Sequence, residues 1–152
     1  MNIVYVHGGT NKQKQLTENI IHYCIQEMMP MIRTLCIEVY LQSPKNMDGD
    51  LGTCLNVDGT NNSREFELEL DKTQKKYKFI LTTCHEMVHV EQGVRNKLKD
   101  KNLRQFWNGD EVETSYYKQP WEKDAFARQK PLAHGFIKRH LGTITGVRYG
   151  KE

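Results

Sequence analysis

The chain has 152 residues, of which 38% are hydrophobic and 27% charged, and a net charge of +3. That length suits one domain with a single modest core. No apolar run approaches the ~18 residues of a membrane span, and so small a net charge does not by itself argue for nucleic acid.

The start, Met1-Asn2-Ile3-Val4-Tyr5-Val6, lacks the basic lead and the long apolar run of a secretory signal, so a cytoplasmic location away from any membrane is expected. Cys24, Cys36, Cys54 and Cys84 show no C-x-x-C spacing. They are expected to be buried reduced thiols and not a cysteine zinc site.

Residues 3–6 read as a short strand ending at Gly8-Gly9, a turn and not a phosphate loop, because G-x-G-x-x-G is absent. Leu16, Ile20, Ile21, Cys24 and Met28 recur at three- and four-residue spacing and predict a helix over 12–28, with Pro30 just beyond it. Residues 32–42, rich in Ile, Leu, Val and Tyr, read as a strand. Ser43-Pro44 and Met47-Asp48-Gly49-Asp50 mark a loop. Residues 52–57 read as the next strand and Asp58-Gly59-Thr60-Asn61-Asn62 as a turn. Glu65-Phe66-Glu67-Leu68-Glu69-Leu70 alternates charge with apolar side chains. That predicts a half-buried strand whose acidic face suits a sheet edge.

The longest helical pattern covers 74–98, with Tyr77, Ile80, Leu81, Cys84, Met87, Val88, Val94 and Leu98 as its apolar stripe. The polar, basic stretch 95–104 is expected to end it in a loop. Phe106-Trp107-Asn108-Gly109-Asp110 reads as a turn with aromatic anchors. A last helix is expected from Pro120, a residue tolerated at the first helical position, through Trp121, Ala125, Phe126 and Ala127. Pro131 is expected to end or kink it, with 132–140 resuming helix and a loosely ordered tail after Gly142.

The long helix carries H-E-x-x-H at His85, Glu86 and His89. Four-residue spacing stacks the two imidazoles on one face, one turn apart. Two nitrogens there can grip one Zn²⁺ at ~2.0–2.1 Å. Glu86 lies about 100° around the helix, where it can take a proton from a metal-activated water without ligating the metal. The bland alternative is a pair of histidines on a solvated face, and the polar neighbours Thr82, Gln92 and Asn96 suit either a cleft or solvent. A catalytic zinc needs a third protein ligand. The metzincin position, six residues after His89, is Arg95, which excludes that class. His7, His22, His134 and His140 fall in no motif, and Glu91 is on the wrong face. Glu122 points inward if Trp121 and Phe126 seat the last helix on the core.

His85-Glu86-Met87-Val88-His89-Val90, Trp107-Asn108-Gly109 and Tyr116-Tyr117-Lys118-Gln119-Pro120-Trp121-Glu122-Lys123-Asp124-Ala125 together resemble small gluzincin-type zinc peptidases of the SprT-like and minimal gluzincin group, often found in bacteria and phages. The resemblance covers roughly residues 35–130. It implies an α+β zincin-like domain spanning 1–152, with a small mixed sheet packed on the H-E-x-x-H helix and a C-terminal helix supplying the third ligand. It further implies Zn²⁺ on His85, His89 and Glu122, with Glu86 as general base. The chain lacks the C-terminal cysteine zinc ribbon of SprT-like proteins proper, which counts against a DNA-repair role.

In such zincins the edge strand before the motif helix holds extended peptide, and residues 64–70 occupy that place in order. Their acidic face would favour basic peptides, or is simply a solvated edge that resists aggregation. Tyr116 or Tyr117 can donate to the oxyanion of the scissile carbonyl, a packing role for at least one being the alternative. Asp124 is a candidate outer partner of a ligand histidine, or a surface carboxylate in a first helical turn. Trp107 and Trp121 read as core anchors. The expected function is zinc-dependent hydrolysis of a peptide or protein substrate. The competing reading is a catalytically silent zincin-fold binding module, contacting nucleic acid through the basic 95–104 stretch.

Overall fold

The computed structural model describes residues 1–59 and 61–142, and the tail expected after Gly142 lies outside them. Strand β1 (Ile3–His7) leads into helix α1 (Asn11–Met28). Thr10 caps that helix: its hydroxyl accepts from the Gln13 N–H, and the Gln13 side chain accepts from the Thr10 N–H. This reciprocal box satisfies two of the donors a helix start leaves open. Three strands follow: β2 (Cys36–Gln42), β3 (Gly52–Asn56) and β4 (Glu65–Asp71). Helix α2 (Lys76–Val94) carries the H-E-x-x-H motif. Next comes a small antiparallel sheet of β5 (Leu98–Lys101), β6 (Arg104–Trp107) and β7 (Asp110–Val112), and then helix α3 (Pro120–Phe136).

The main sheet has the order β1-β2-β4-β3, with β1, β2 and β4 parallel and β3 antiparallel to β4. The architecture is therefore mixed α+β with a small mixed sheet. Alternation along β2 and β4 buries Ile37, Val39, Leu41, Phe66, Leu68 and Leu70. These meet Ile20, Ile21, Cys24, Ile80, Cys84 and Met87 from α1 and α2 in one core. No helix among the described residues is long and apolar enough to cross a membrane.

Four expectations need correcting. The acidic-faced strand β4 is not an edge: it lies between β2 and β3. Alternation reports that a strand has two different faces, and does not say whether it has one neighbour or two. The strand that ends the sheet beside α2 is β3. Second, the basic stretch after α2 is not a loop but most of the β5–β6 hairpin. Third, Pro131 neither ends nor interrupts α3, which is helical to Phe136 and continues as a π-turn over Ile137–Leu141. Pro131 offers no N–H to the Ala127 carbonyl one turn back, but both residues are exposed, so that carbonyl faces water. Fourth, only Cys24 and Cys84 are fully buried; Cys36 and Cys54 are partly covered, and all four are free.

Candidate metal centre

Helix α2 is sandwiched between the sheet and α3, so even its polar motif face is enclosed. His85 is 7% exposed and Glu86 6% exposed, which removes the reading of two histidines on a solvated face. Glu122, in the first turn of α3, is equally buried beside Trp121. The Trp121 ring is buried and sits 6.5 Å from that of Trp107 on β6, which is only partly covered.

The three candidate ligands converge. His85 Nε2 lies 2.9 Å from Glu122 Oε1, and His89 Nε2 lies 3.2 Å from Glu122 Oε2. One ligand atom from each of the three residues falls within 4.8 Å of the others, so the group can hold a metal ion. Two arms of ~2.1 Å at a tetrahedral angle place donor atoms about 3.4 Å apart, which is the scale seen here.

Outer partners fix which nitrogen of each ring faces the centre. His89 Nδ1 meets Gln92 Oε1 at 2.8 Å. The orientation of that amide is set by its other end, since Gln92 Nε2 donates to the Trp121 carbonyl and to Asp124 Oδ2, both at 2.9 Å. His85 Nδ1 meets Gln129 Oε1, also at 2.8 Å. An amide oxygen only accepts, so each Nδ1 carries the proton and each neutral ring turns a bare Nε2 lone pair toward Glu122. Two lone pairs and a carboxylate then face one another with no donor among them. A cation between them, or a proton on the rings, relieves the repulsion. The donor set therefore fits a divalent metal.

The network extends outward. Asp124 Oδ2 also accepts from Arg128 Nη2 at 2.9 Å, and Arg128 Nη2 reaches Glu91 Oε1 at 2.7 Å. Glu91, 3% exposed, holds Arg95 and Lys97 as well. Asp124 is thus tied to a ligand histidine, through Gln92. Glu91 lies outside the group that can hold a metal and links α2 to α3 behind the site. Gln129 was not singled out from the sequence. It lies 44 residues from the histidine it serves, and no local pattern joins them.

Burial pushes the Glu86 carboxyl up from its ordinary range, and the nearby His89 and His85 only partly offset this. Burial would raise Glu122 too, but when the rings carry the proton that relieves the repulsion, their hydrogen bonds to its carboxylate outweigh burial and hold it at about 2. At His89 burial opposes the charged ring, yet Glu122 and Glu86 prevail and raise its pKa. Tyr116, in a 3-10 turn before α3, places its hydroxyl 3.3 Å from Glu122 Oε1. Burial and the Glu122 charge push that phenol up to about 12, so it stays protonated and able to donate. The backbone of Tyr117 lies in the same turn, but its side chain is outside the described residues.

Two cavities flank the centre. One, of about 340 Å³, is lined by Asp50, Gly52, Thr82, His85, Glu86 and Tyr116, among others. The second, of about 240 Å³, lies on the His89 side between β3, β4 and the β5–β6 hairpin. Strand β3 borders both, with Gly52 in the first and Cys54 and Asn56 in the second. A Cβ on Gly52 would sit 2.7 Å from the Thr82 methyl and 3.1 Å from Glu86 Oε2, so only glycine lets this strand approach the carboxylate so closely.

Comparison with protein-family models, with curated proteins and with solved structures found no significant match.

Proposed function

We propose that the protein is a zinc-dependent metallopeptidase of the small gluzincin kind, with a zincin-like fold. The observation that carries this reading is the convergence of His85 Nε2, His89 Nε2 and the Glu122 carboxylate, largely shielded from solvent, next to a second buried acid, Glu86, that takes no part in the trio. His85, His89 and Glu122 would hold the metal, and two histidines with one glutamate are a recurrent donor set of hydrolytic zinc. When bound, such a cation acidifies water and polarises a carbonyl.

The chain's own residues supply the rest. Glu86 lines the larger cavity and holds its proton more tightly than an ordinary carboxylate, which suits a base that must take a proton from water and return it to the leaving amine. Tyr116, protonated across the neutral range, can donate to the oxyanion that forms on the scissile carbonyl. Gln92 and Gln129 keep both imidazoles turned inward. Strand β3, running past both cavities, is where an extended peptide can add backbone hydrogen bonds. Three of the five cations of the basic stretch are engaged in local ion pairs, Arg95 and Lys97 with Glu91 and Arg104 with Glu111, which leaves only Lys99 and Lys101 for the nucleic-acid reading.

Elemental analysis of purified protein tests the site. Wild type should carry close to one zinc per chain and Glu122→Ala much less, and equal, near-zero content in metal-replete preparations of both would remove the centre. Mass spectrometry of a peptide library tests the activity. Products should appear with wild type and be absent with Glu86→Gln. No wild-type-specific product under any metal condition would leave a metal-holding binding module in place of an enzyme.

A further inference from the structure

The smaller cavity has a construction the reaction does not explain. Its inner wall is apolar: Phe66 from β4, Gly93 of α2, Leu98 of β5 and Trp121 of α3. A Cβ at Gly93 would come within 2.8 Å of the Phe66 ring, so the glycine leaves just enough room for that wall. Its remaining lining comes from Cys54, from the polar Asn56, Gln105, Gln119 and Asp100, and from the candidate ligands His89 and Glu122. Apart from those two candidate ligands, Asp100 is the one charged group among the described lining residues.

The hairpin register explains how Asp100 gets there. Asp100 lies directly opposite Gln105, and both line the cavity. Leu98, two residues earlier, lines it as well, as a period of two requires. Lys99 and Lys101 therefore fall on the opposite face, where Lys99 reaches Asn61. Among the described residues no ion pair engages Asp100. At about 240 Å³ the space exceeds a ~150 Å³ cavity able to take benzene, so a long side chain fits.

An apolar stem wall leading to one unpaired carboxylate matches a side chain with a methylene stem and a cationic head. We propose that this cavity is the substrate side-chain pocket on the His89 side of the centre, and that it selects lysine or arginine through Asp100. The pocket opens beside His89 and Glu122, so the selected residue flanks the reacting bond. This assignment rests on the peptidase reading for its catalytic consequence, but not for its binding.

The test uses zinc-loaded full-length Glu86→Gln, which keeps the pocket and stops turnover. Fluorescent peptides identical except for one lysine or norleucine are titrated into it. The lysine peptide should bind at least tenfold tighter. Adding Asp100→Asn should bring the two peptides together, and Asp100→Lys should reverse the preference toward a glutamate peptide. Asp100 is exposed on a hairpin, so these variants should fold, and unchanged zinc content confirms that each does. Equal binding of the two peptides, no binding of either, or a lysine preference that survives Asp100→Asn would overturn the pocket. The lysine preference appearing in binding while wild type cleaves no peptide would overturn the peptidase reading and leave the pocket standing.

Discussion

Neither candidate ligand histidine sets its own tautomer; two glutamines do. Removing an outer partner of a metal-bound histidine typically weakens metal affinity 10–100-fold. Gln129→Ala should fall within that range, since it frees one ring only. Gln92→Ala should fall at its upper end, because Gln92 is fully buried and its loss also removes the hydrogen bonds it donates to the Trp121 carbonyl and to Asp124. Competition with a chromophoric chelator measures both, and affinities within twofold of wild type would show the rings to be held by packing alone. His85, Glu86, His89 and Glu122 were legible in the sequence because their spacing and local context carry the chemistry. Gln92 was visible only as a polar residue near the motif. Its role depends on the Trp121 carbonyl 29 residues away, a relation created by the packing of α3 on α2.

At the level of elements, α2 is the shared partner of the sheet and α3, and it packs closely on the sheet near its C-terminal end. There Gly93 lies against Phe66, itself 2% exposed. In Gly93→Ala two effects oppose each other. Alanine gains roughly 0.5–1 kcal/mol in a helix interior, but overpacking a core typically costs about 1–3 kcal/mol. The added Cβ would meet the Phe66 ring at 2.8 Å and Asn56 Nδ2 at 3.3 Å, so overpacking should win even though that ring borders the smaller cavity. The expected outcome is a fall in Tm of a few degrees, at about 2–4 °C per kcal/mol for a chain of this size; a rise would show that β4 yields. The same packing shows why some elements were legible and others were not. Periodicity located α1, α2 and β4, and apolar, β-branched composition located β2, because each turns an apolar face to the core. The β5–β6 hairpin escaped because β5 is half lysine and its turn is Asn102-Leu103, both with positive φ. A leucine is not a turn signal, whereas Asn108-Gly109, which closes β6 onto β7, is the commonest one.

For the molecule as a whole, the site depends on α3 being held along its length. Its N-terminal end is fixed by Trp121 and Glu122 at the centre, its middle by Arg128 on Glu91. Its far end is fixed by α1 through Tyr23. The Tyr23 ring meets Phe136 edge-on at 5.8 Å, the Arg139 guanidinium lies 5.4 Å from the ring centre, and the hydroxyl donates to Glu27 at 3.0 Å. A Cβ on Gly135 would collide with that hydroxyl, so the helices meet at a glycine. Burial, followed by the hydrogen bond to Glu27, pushes the phenol up from 10 to about 12. Below pH 10 the phenol is protonated in both the folded and the unfolded chain, and the anchor's contribution is fully present. Between 10 and about 12 the unfolded chain releases the proton while the folded chain keeps it, so stability must fall as pH rises. Above about 12 this contribution is lost. Denaturant unfolding of wild type and Tyr23→Phe on either side of pH 10 measures the effect. Tyr23→Phe should lose less stability over that interval, because it has no phenol to titrate there. Its zinc affinity at neutral pH should stay within a few fold of wild type, since the Glu91–Arg128 link and the Trp121 anchor remain. Parallel stability curves would mean that Tyr23 ionises without opening the contact, and a large loss of zinc would mean that the far end of α3 positions Glu122 directly.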